Sequence, residues 1–300
     1  MEYFLELLLS GLTRGSIYAL IALGYTMVYG IIGLINFAHG EIYMIVAFTA
    51  LIVSTVLNMY GLPLLAVLFL AAAAATIWAA AYGYTIERLA YRPLRKAPRL
   101  SPLISAIGMS FFLQNYVLLA QTSDFLPFPQ LIPDFEFMDK YSSILGSSEL
   151  IILITTAVVM ILLTLIIKFT RTGKAMRATA QDQTMAFLVG INVDHVISIT
   201  FVIGSALAAL RGLLIASHIG QINFYIGFIA GIKAFTAAVL GGIGSIPGAV
   251  LGSFVLGLTE AFATGYISSS YEDAFAFSLL VLILIFRPAG LLGKASIEKV

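Results

Sequence analysis

The chain has no cysteine, three histidines and one tryptophan in 300 residues, and only 10% of its residues are charged. Without cysteine there is neither a disulfide framework nor a thiolate metal site. His39, His195 and His218 stand far apart, and no H-E-x-x-H pair sets two of them on one helix face. A soluble domain carries about a quarter charged residues, so this chain lacks the polar surface to cover a globule in water. No G-x-x-x-x-G-K-[ST] phosphate loop is present either: Gly173-Lys174-Ala175 lacks both the leading glycine and the hydroxyl. With no G-x-S-x-G elbow and no nucleophile–base constellation, the sequence reads as neither an ATPase nor another enzyme, and it calls for no cofactor and no metal. The glycine spacing of Gly241-Gly-Ile-Gly-Ser-Ile-Pro-Gly248 is wrong for a nucleotide loop, and no strand precedes it, so it reads as a tight turn between helices.

What is present is apolar. Hydrophobic residues make up 60% of the chain, and the mean hydropathy is +1.02. Continuous apolar runs, rather than the alternation of a β-barrel, point to an all-α polytopic helical membrane protein. The spans fall near 5–30, 41–58, 62–86, 102–120, 149–168, 195–216, 226–243, 246–265 and 273–287. The first is long enough to tilt or break. The pair 226–243 and 246–265 is short, so the expected number is eight to ten transmembrane or half-entering helices. The N-terminus has no basic region and no small-residue cleavage site after its first apolar run, which reads as a retained first span. No compositional linker divides the chain, so residues 1–300 are expected to form one membrane domain.

Charge sorts by connection. Residues 87–101 carry Arg88, Arg92, Arg95, Lys96 and Arg99 against Glu87, a net +4. Residues 168–194 carry Lys168, Arg171, Lys174 and Arg177 against Asp182 and Asp194, a net +2. The 121–149 connection carries Asp124, Asp134, Glu136, Asp139 and Glu149 against Lys140, a net −4. The positive-inside rule puts the first two in the cytoplasm and the third outside, and its three prolines make that loop extended or a series of short turns. Nine spans then leave the N-terminus outside and the C-terminus inside, near Arg287 and Lys294.

The connection 171–194 is longer than a simple turn between spans requires. No proline or glycine interrupts Lys174 to Val189, so the pattern predicts one continuous helix with Met176, Ala180 and Phe187 near one face. Gly190 ends it, and Asn192 and Asp194 are available to cap the next span. Such a helix either rests on headgroups or inserts into a groove of a partner protein.

Polar groups inside spans are costly, and they either fix helix packing or line a path. Arg14, Arg211, Lys233 and Glu260 are of this kind. A cation at Lys233 either attracts a substrate carboxylate or equally snorkels towards headgroups. Asn36, His39 and Glu41 cluster where the first helix gives way to the second, either as a gate at a discontinuous helix or as caps at the interface. Gln114 and Asn115, with Tyr116, sit deep in the fourth span, where amides bond neighbouring helices or line the path.

Several long stretches are similar to one family. They are Gly15-Ser-Ile-Tyr-Ala-Leu-Ile-Ala-Leu-Gly-Tyr-Thr-Met-Val-Tyr-Gly30 with the adjoining Ile31-Ile-Gly-Leu-Ile-Asn-Phe-Ala-His-Gly-Glu41, Glu87-Arg-Leu-Ala-Tyr-Arg-Pro-Leu-Arg95, Ile104-Ser-Ala-Ile-Gly-Met-Ser110, and the whole of Gly227 to Gly248. Over nearly its full length the chain resembles the LivH family, permease subunits of branched-chain amino acid ABC importers. The resemblance implies alternating access in the bacterial inner membrane with leucine, isoleucine or valine as cargo. The implied partners are a second permease subunit, two ATP-binding cassette ATPase subunits and a periplasmic amino-acid-binding protein; nucleic acid is not among them. The ATPase-coupling pattern of that family, Ala-x-Ala-Glu-Asp followed by Met-Ala-x-x-x-Gly-Ile-Asn, is matched here by Ala178, Ala180, Asp182, Met185, Ala186, Gly190, Ile191 and Asn192. Gln181 replaces the usual glutamate, and His195 stands where arginine is common. Related permeases carry urea, short amides or other amino acids. An ion-coupled secondary transporter is the reading from another class, and it would need paired acids at the midplane.

Overall fold

The computed structural model describes residues 2–95, 97–98, 100–133 and 146–293. Lys96, Arg99, Asp134, Glu136, Asp139, Lys140 and Lys294, all used in the charge map, lie outside the described residues.

The chain is helical almost throughout. The helices are α1 (Glu2–Ile32), α2 (His39–Met59), α3 (Leu64–Ile86), α4 (Leu100–Ala120), α5 (Ser147–Phe169), α6 (Arg171–Gln181), α7 (Gln183–Leu188), α8 (Val193–Ile219), α9 (Ile226–Gly241), α10 (Ile246–Tyr266) and α11 (Glu272–Phe286). Among the described residues eight helical segments are long and apolar enough to cross a membrane, and α9, at 16 residues, is a shorter ninth. This falls within the expected eight to ten, and the protein is a multi-pass membrane protein.

Two helices form the centre. Within the most apolar window of each, 78% of α1 and 72% of α8 are buried, against 6% for the last span, so α1 and α8 are the hub and α11 lies at the rim. Small residues allow the close approaches, as membrane helices require in the absence of a hydrophobic drive between them. On α3 the stripe Ala71, Ala75, Ala79 and Gly83 recurs every fourth residue and is fully buried, with Gly83 lying against Ser205 and Phe201 of α8. Gly11 and Gly15 of α1 pack likewise on α10, around Gly257.

One connection extends beyond the sequence reading, and two agree with it. Helical turns continue α3 past Ile86, as a π turn over Glu87–Tyr91 and a 3₁₀ turn over Arg92–Leu94, so the basic stretch is ordered rather than a loose loop. A buried acid explains it: Glu87 is paired with Arg95 and accepts a hydrogen bond from Ser198 of α8 (2.8 Å). On the other face, β1 (Leu126–Pro127) pairs antiparallel with β2 (Gln221–Ile222), and the Ser217 hydroxyl accepts from the amides of Leu131 and Ile132. The described part of the acidic connection is thus extended, as its prolines suggest. The turn at 242–245 is tight, with Gly242 (φ +103°) and Gly244 (φ +94°) in backbone conformations that favour glycine, and Ser245 caps α10 through the amide of Gly248.

Candidate functional site

The connection 170–194 folds as two helices, not one. Thr170 caps α6 by accepting from the amide of Gly173 (3.0 Å). Asp182 then takes an extended backbone (φ −158°, ψ 113°), and its carboxylate accepts from the amides of Thr184 (2.8 Å) and Met185 (2.9 Å). An aspartate that caps a new helix ends the old one, which is why the glycine-free run does not stay continuous. The inward face of α6 is Gly173, Met176 and Thr179, while Ala180 and Phe187 are exposed. Arg177 donates to the last carbonyls of α5, at Ile167 and Lys168, covering acceptors that a helix end leaves open.

This unit is tied to the bundle. Gly173 sits directly on the backbone of Ile166 and Ile167, and Gln183 donates to the carbonyl of Ile31 at the end of α1 (3.2 Å). Ala186 is buried, Ile191 packs on the core, and Gly190 turns the chain at φ +87°. Asn192 caps α8 through the amide of His195 (3.0 Å). Asp194 does not share that task; it receives Arg92 and Arg95 from the end of α3. α7 begins with the exposed polar Gln183 and Thr184 and then presents an apolar run: Met185, Phe187, Leu188 and Val189 are each at least 60% exposed. Of the remaining residues in the pattern, Ala178 is half-buried, and Ala180 lines a groove that α6 forms with the ends of α1 and α5 and the α9–α10 turn.

A second site lies deep in the bundle. α1 ends at Ile32, Gly33 turns at φ +66°, and the chain re-enters so that α2 begins at His39. The His39 ring occupies the space a side chain at Gly24 would fill. Gly24 is eight residues from the end of α1, so α2 starts roughly 12 Å inside that end at the usual helical rise. This depth argues against interfacial caps. The N-cap, Ala38, has no side chain able to cap, and the residues around it are engaged elsewhere. Asn36 accepts from the Tyr91 hydroxyl (3.1 Å), which also donates to the carbonyl of Ile35. His39 meets Tyr25 edge to face at 5.2 Å. Glu41, fully buried, accepts from the Ser110 hydroxyl of α4 (2.9 Å) through Oε1, while Oε2 faces Gly227 without a hydrogen-bond partner.

Gln114 lies one turn beyond Ser110 on the buried face of α4, with its amide nitrogen unpartnered. Asn115 points the other way, exposed, donating to the carbonyl of Phe111 on its own helix. The structure therefore brings Asn36, His39 and Glu41 to the start of α2, sets Gln114 one turn from the Glu41 partner Ser110 on the buried face of α4, and turns Asn115 away.

Lys233 belongs to another cluster. Its ammonium lies 2.7 Å from Glu272, 2.8 Å from Asp273 and 3.3 Å from Glu260. Arg14 reaches the second oxygen of Glu272 (2.9 Å), and the Tyr18 hydroxyl donates to Glu260 (2.6 Å). Three carboxylates around one ammonium join α9, α10 and α11, and Arg14 adds α1. Arg211 differs: it is buried against Tyr43, 4.5 Å from the ring centroid, and among the described residues neither it nor Glu41 has an opposite charge within 4.0 Å. The sequence marks Arg211 as a charge within a span; Tyr25 and Ser110 lie in the family-like stretches without being singled out there, and Tyr43 carries no signal. Among the described residues no group of three or more metal-ligating side chains is assembled.

Comparison with known proteins gives the relatives of the whole chain. A family profile described as a branched-chain amino acid transport system permease component matches residues 7–284. The high-affinity branched-chain amino acid transport system permease protein BraD of Pseudomonas aeruginosa is 54% identical, over 99% of this chain and 98% of its own length. LivH of Escherichia coli K12, named likewise, is 50% identical over the same shares. A probable LivH of Methanocaldococcus jannaschii is 26% identical over 93% of this chain and 89% of its own. No solved structure matches.

Proposed function

This chain belongs to the family of branched-chain amino acid transport system permease components, and we propose that it forms one half of the membrane path of an ATP-driven importer for leucine, isoleucine and valine. The energy comes from partner ATPases, since the sequence has no phosphate loop of its own. A second permease completes the path, and a periplasmic binding protein delivers the amino acid. The protein sits in the bacterial inner membrane, with its N-terminus outside and its C-terminus in the cytoplasm, the orientation favoured by its basic and acidic connections.

The observation that carries the reading is the α6–α7 unit. It is fastened to α1, α5 and α8, yet presents Met185, Phe187, Leu188 and Val189 outward on the basic face. An apolar patch on a rigid mount suits the groove of a soluble protein that moves and must carry the membrane helices with it. A headgroup-resting helix needs no such fastening. Asp182 is spent on its own helix cap, and Gln181 is neutral, so docking here relies on apolar shape rather than paired charge. Alternating access then turns on the break between α1 and α2, next to Asn36, His39 and Glu41, with Gln114 alongside. Discontinuous helices of this kind mark the moving parts of many transporters.

The test is co-purification in nanodiscs with the ATPases and the binding protein. ATP hydrolysis should rise with binding protein loaded with leucine, isoleucine or valine and not with unrelated cargo. A complex stimulated only by urea or short amides would reassign the substrate.

A further inference from the structure

A narrow cleft runs between α4 and α9, walled by Phe37, Ile107, Phe111, Phe228 and Ile232. At its inner end stand Ser110, Tyr25 and Gly231, and behind Ser110 lies the Glu41 carboxylate. Glu41 is fully buried at a helix break in mid-bundle, holds one hydrogen bond, has no cation within 4.0 Å among the described residues, and keeps Oε2 free towards Gly227. Ionisable groups inside a membrane are expensive, and one left incompletely satisfied signals a task. The cleft now holds about 30 Å³, room for a water and not for an amino acid. Widening it parts the stacked Phe111 and Phe228 rings, while Gly40, Gly227 and Gly231, where α2 meets α9, carry no side chain of their own to obstruct the movement.

The geometry points to a transient site for the substrate's head group. When α9 withdraws from α4, the α-ammonium of a passing amino acid bonds to Glu41 Oε2 with Ser110 beside it, and an aliphatic side chain lies along Phe37, Ile107, Phe228 and Ile232. No covalent step is involved. This deepens the importer reading and rests on it. The free carboxylate oxygen supplies the polar contact, and the apolar walls match the proposed cargo.

The test uses proteoliposomes containing the whole complex, and measures radiolabelled leucine imported per ATP hydrolysed. Glu41→Gln keeps the volume and an acceptor for Ser110 but removes the charge. Leucine delivered per ATP should fall by about tenfold, the effect of losing one charge-assisted hydrogen bond. A purely structural Glu41 would lower import and hydrolysis together or neither, so an unchanged ratio overturns the proposal. Should that variant fail to assemble, Ile232→Phe narrows the wall instead. It should lower the leucine-to-valine import ratio by about tenfold, the discrimination available to a pocket that senses one methylene; an unchanged ratio overturns the site equally. If the parent complex imports no aliphatic amino acid, the importer reading falls and the site with it. If the parent imports leucine and both variants match it, only the site falls.

Discussion

At the scale of single residues, the charges inside the spans divide into those that have partners and those that do not. Lys233 and Arg14 pair with Glu260, Glu272 and Asp273 in one network across four helices. Removing one partner of a buried pair costs about 3–5 kcal/mol, because the other charge stays behind unpaired. Lys233→Met should therefore lower the melting temperature of the purified protein, and adding Glu260→Gln should restore part of the loss. A variant that keeps its melting temperature but loses uptake would instead assign Lys233 to the substrate path. The sequence marks Lys233 as a cation in an apolar run; its partners were not legible, because two of them lie on a different helix 39 and 40 residues further on. For Glu41 the sequence singles out the position and its break, but nothing in it reveals that Ser110, 69 residues away, is the partner.

At the scale of elements, the α6–α7 unit is held by caps and backbone contacts more than by burial. Asp182 starts α7 with two amide bonds, and Asp182→Ala should cost about 1 kcal/mol as a lost cap. Gly190 is in the left-handed region with open space around it, so any other residue is penalised by its backbone and not by a clash. Gly190→Glu is expected to lower ATPase stimulation and transport while membrane insertion, followed by yield in the membrane fraction, is unaffected. Stimulation equal to that of the parent would take α7 out of coupling. A continuous chain of contacts leads on from this unit. Asp194 binds Arg92 and Arg95, Arg95 binds Glu87, and Tyr91 on the same π turn donates to Ile35 and Asn36 beside the break. π turns often sit at working positions. Tyr91→Phe should lower leucine imported per ATP hydrolysed, and an unchanged ratio would mean that motion reaches the break by another route. The two-helix form of this segment was hidden in the sequence because aspartate is tolerated within a helix as well as at its start. The resemblance in Ala178, Ala180, Asp182, Met185 and Ala186 located the segment but not its bend.

At the scale of the whole molecule, length and hydropathy were enough to expect all eight long spans and the short ninth, and the tight turn at 242–245. Which face of each helix turns inward was not legible. A helix surrounded by lipid is apolar on every side, so its pattern carries no stripe to mark the core. The small residues of α3 do not mark it either: Ala71, Ala75 and Ala79 are buried, while Ala73 and Ala81 of the same runs are exposed. The central claim is that this assembly of helices moves an amino acid at the expense of ATP hydrolysed by other chains. The direct measurement is leucine accumulation in proteoliposomes that contain this chain, its partner permease and the ATPases, supplied with leucine-loaded binding protein. The account predicts accumulation against a gradient with ATP, and none when the ATPases are left out. Accumulation driven by an ion gradient in their absence would contradict it.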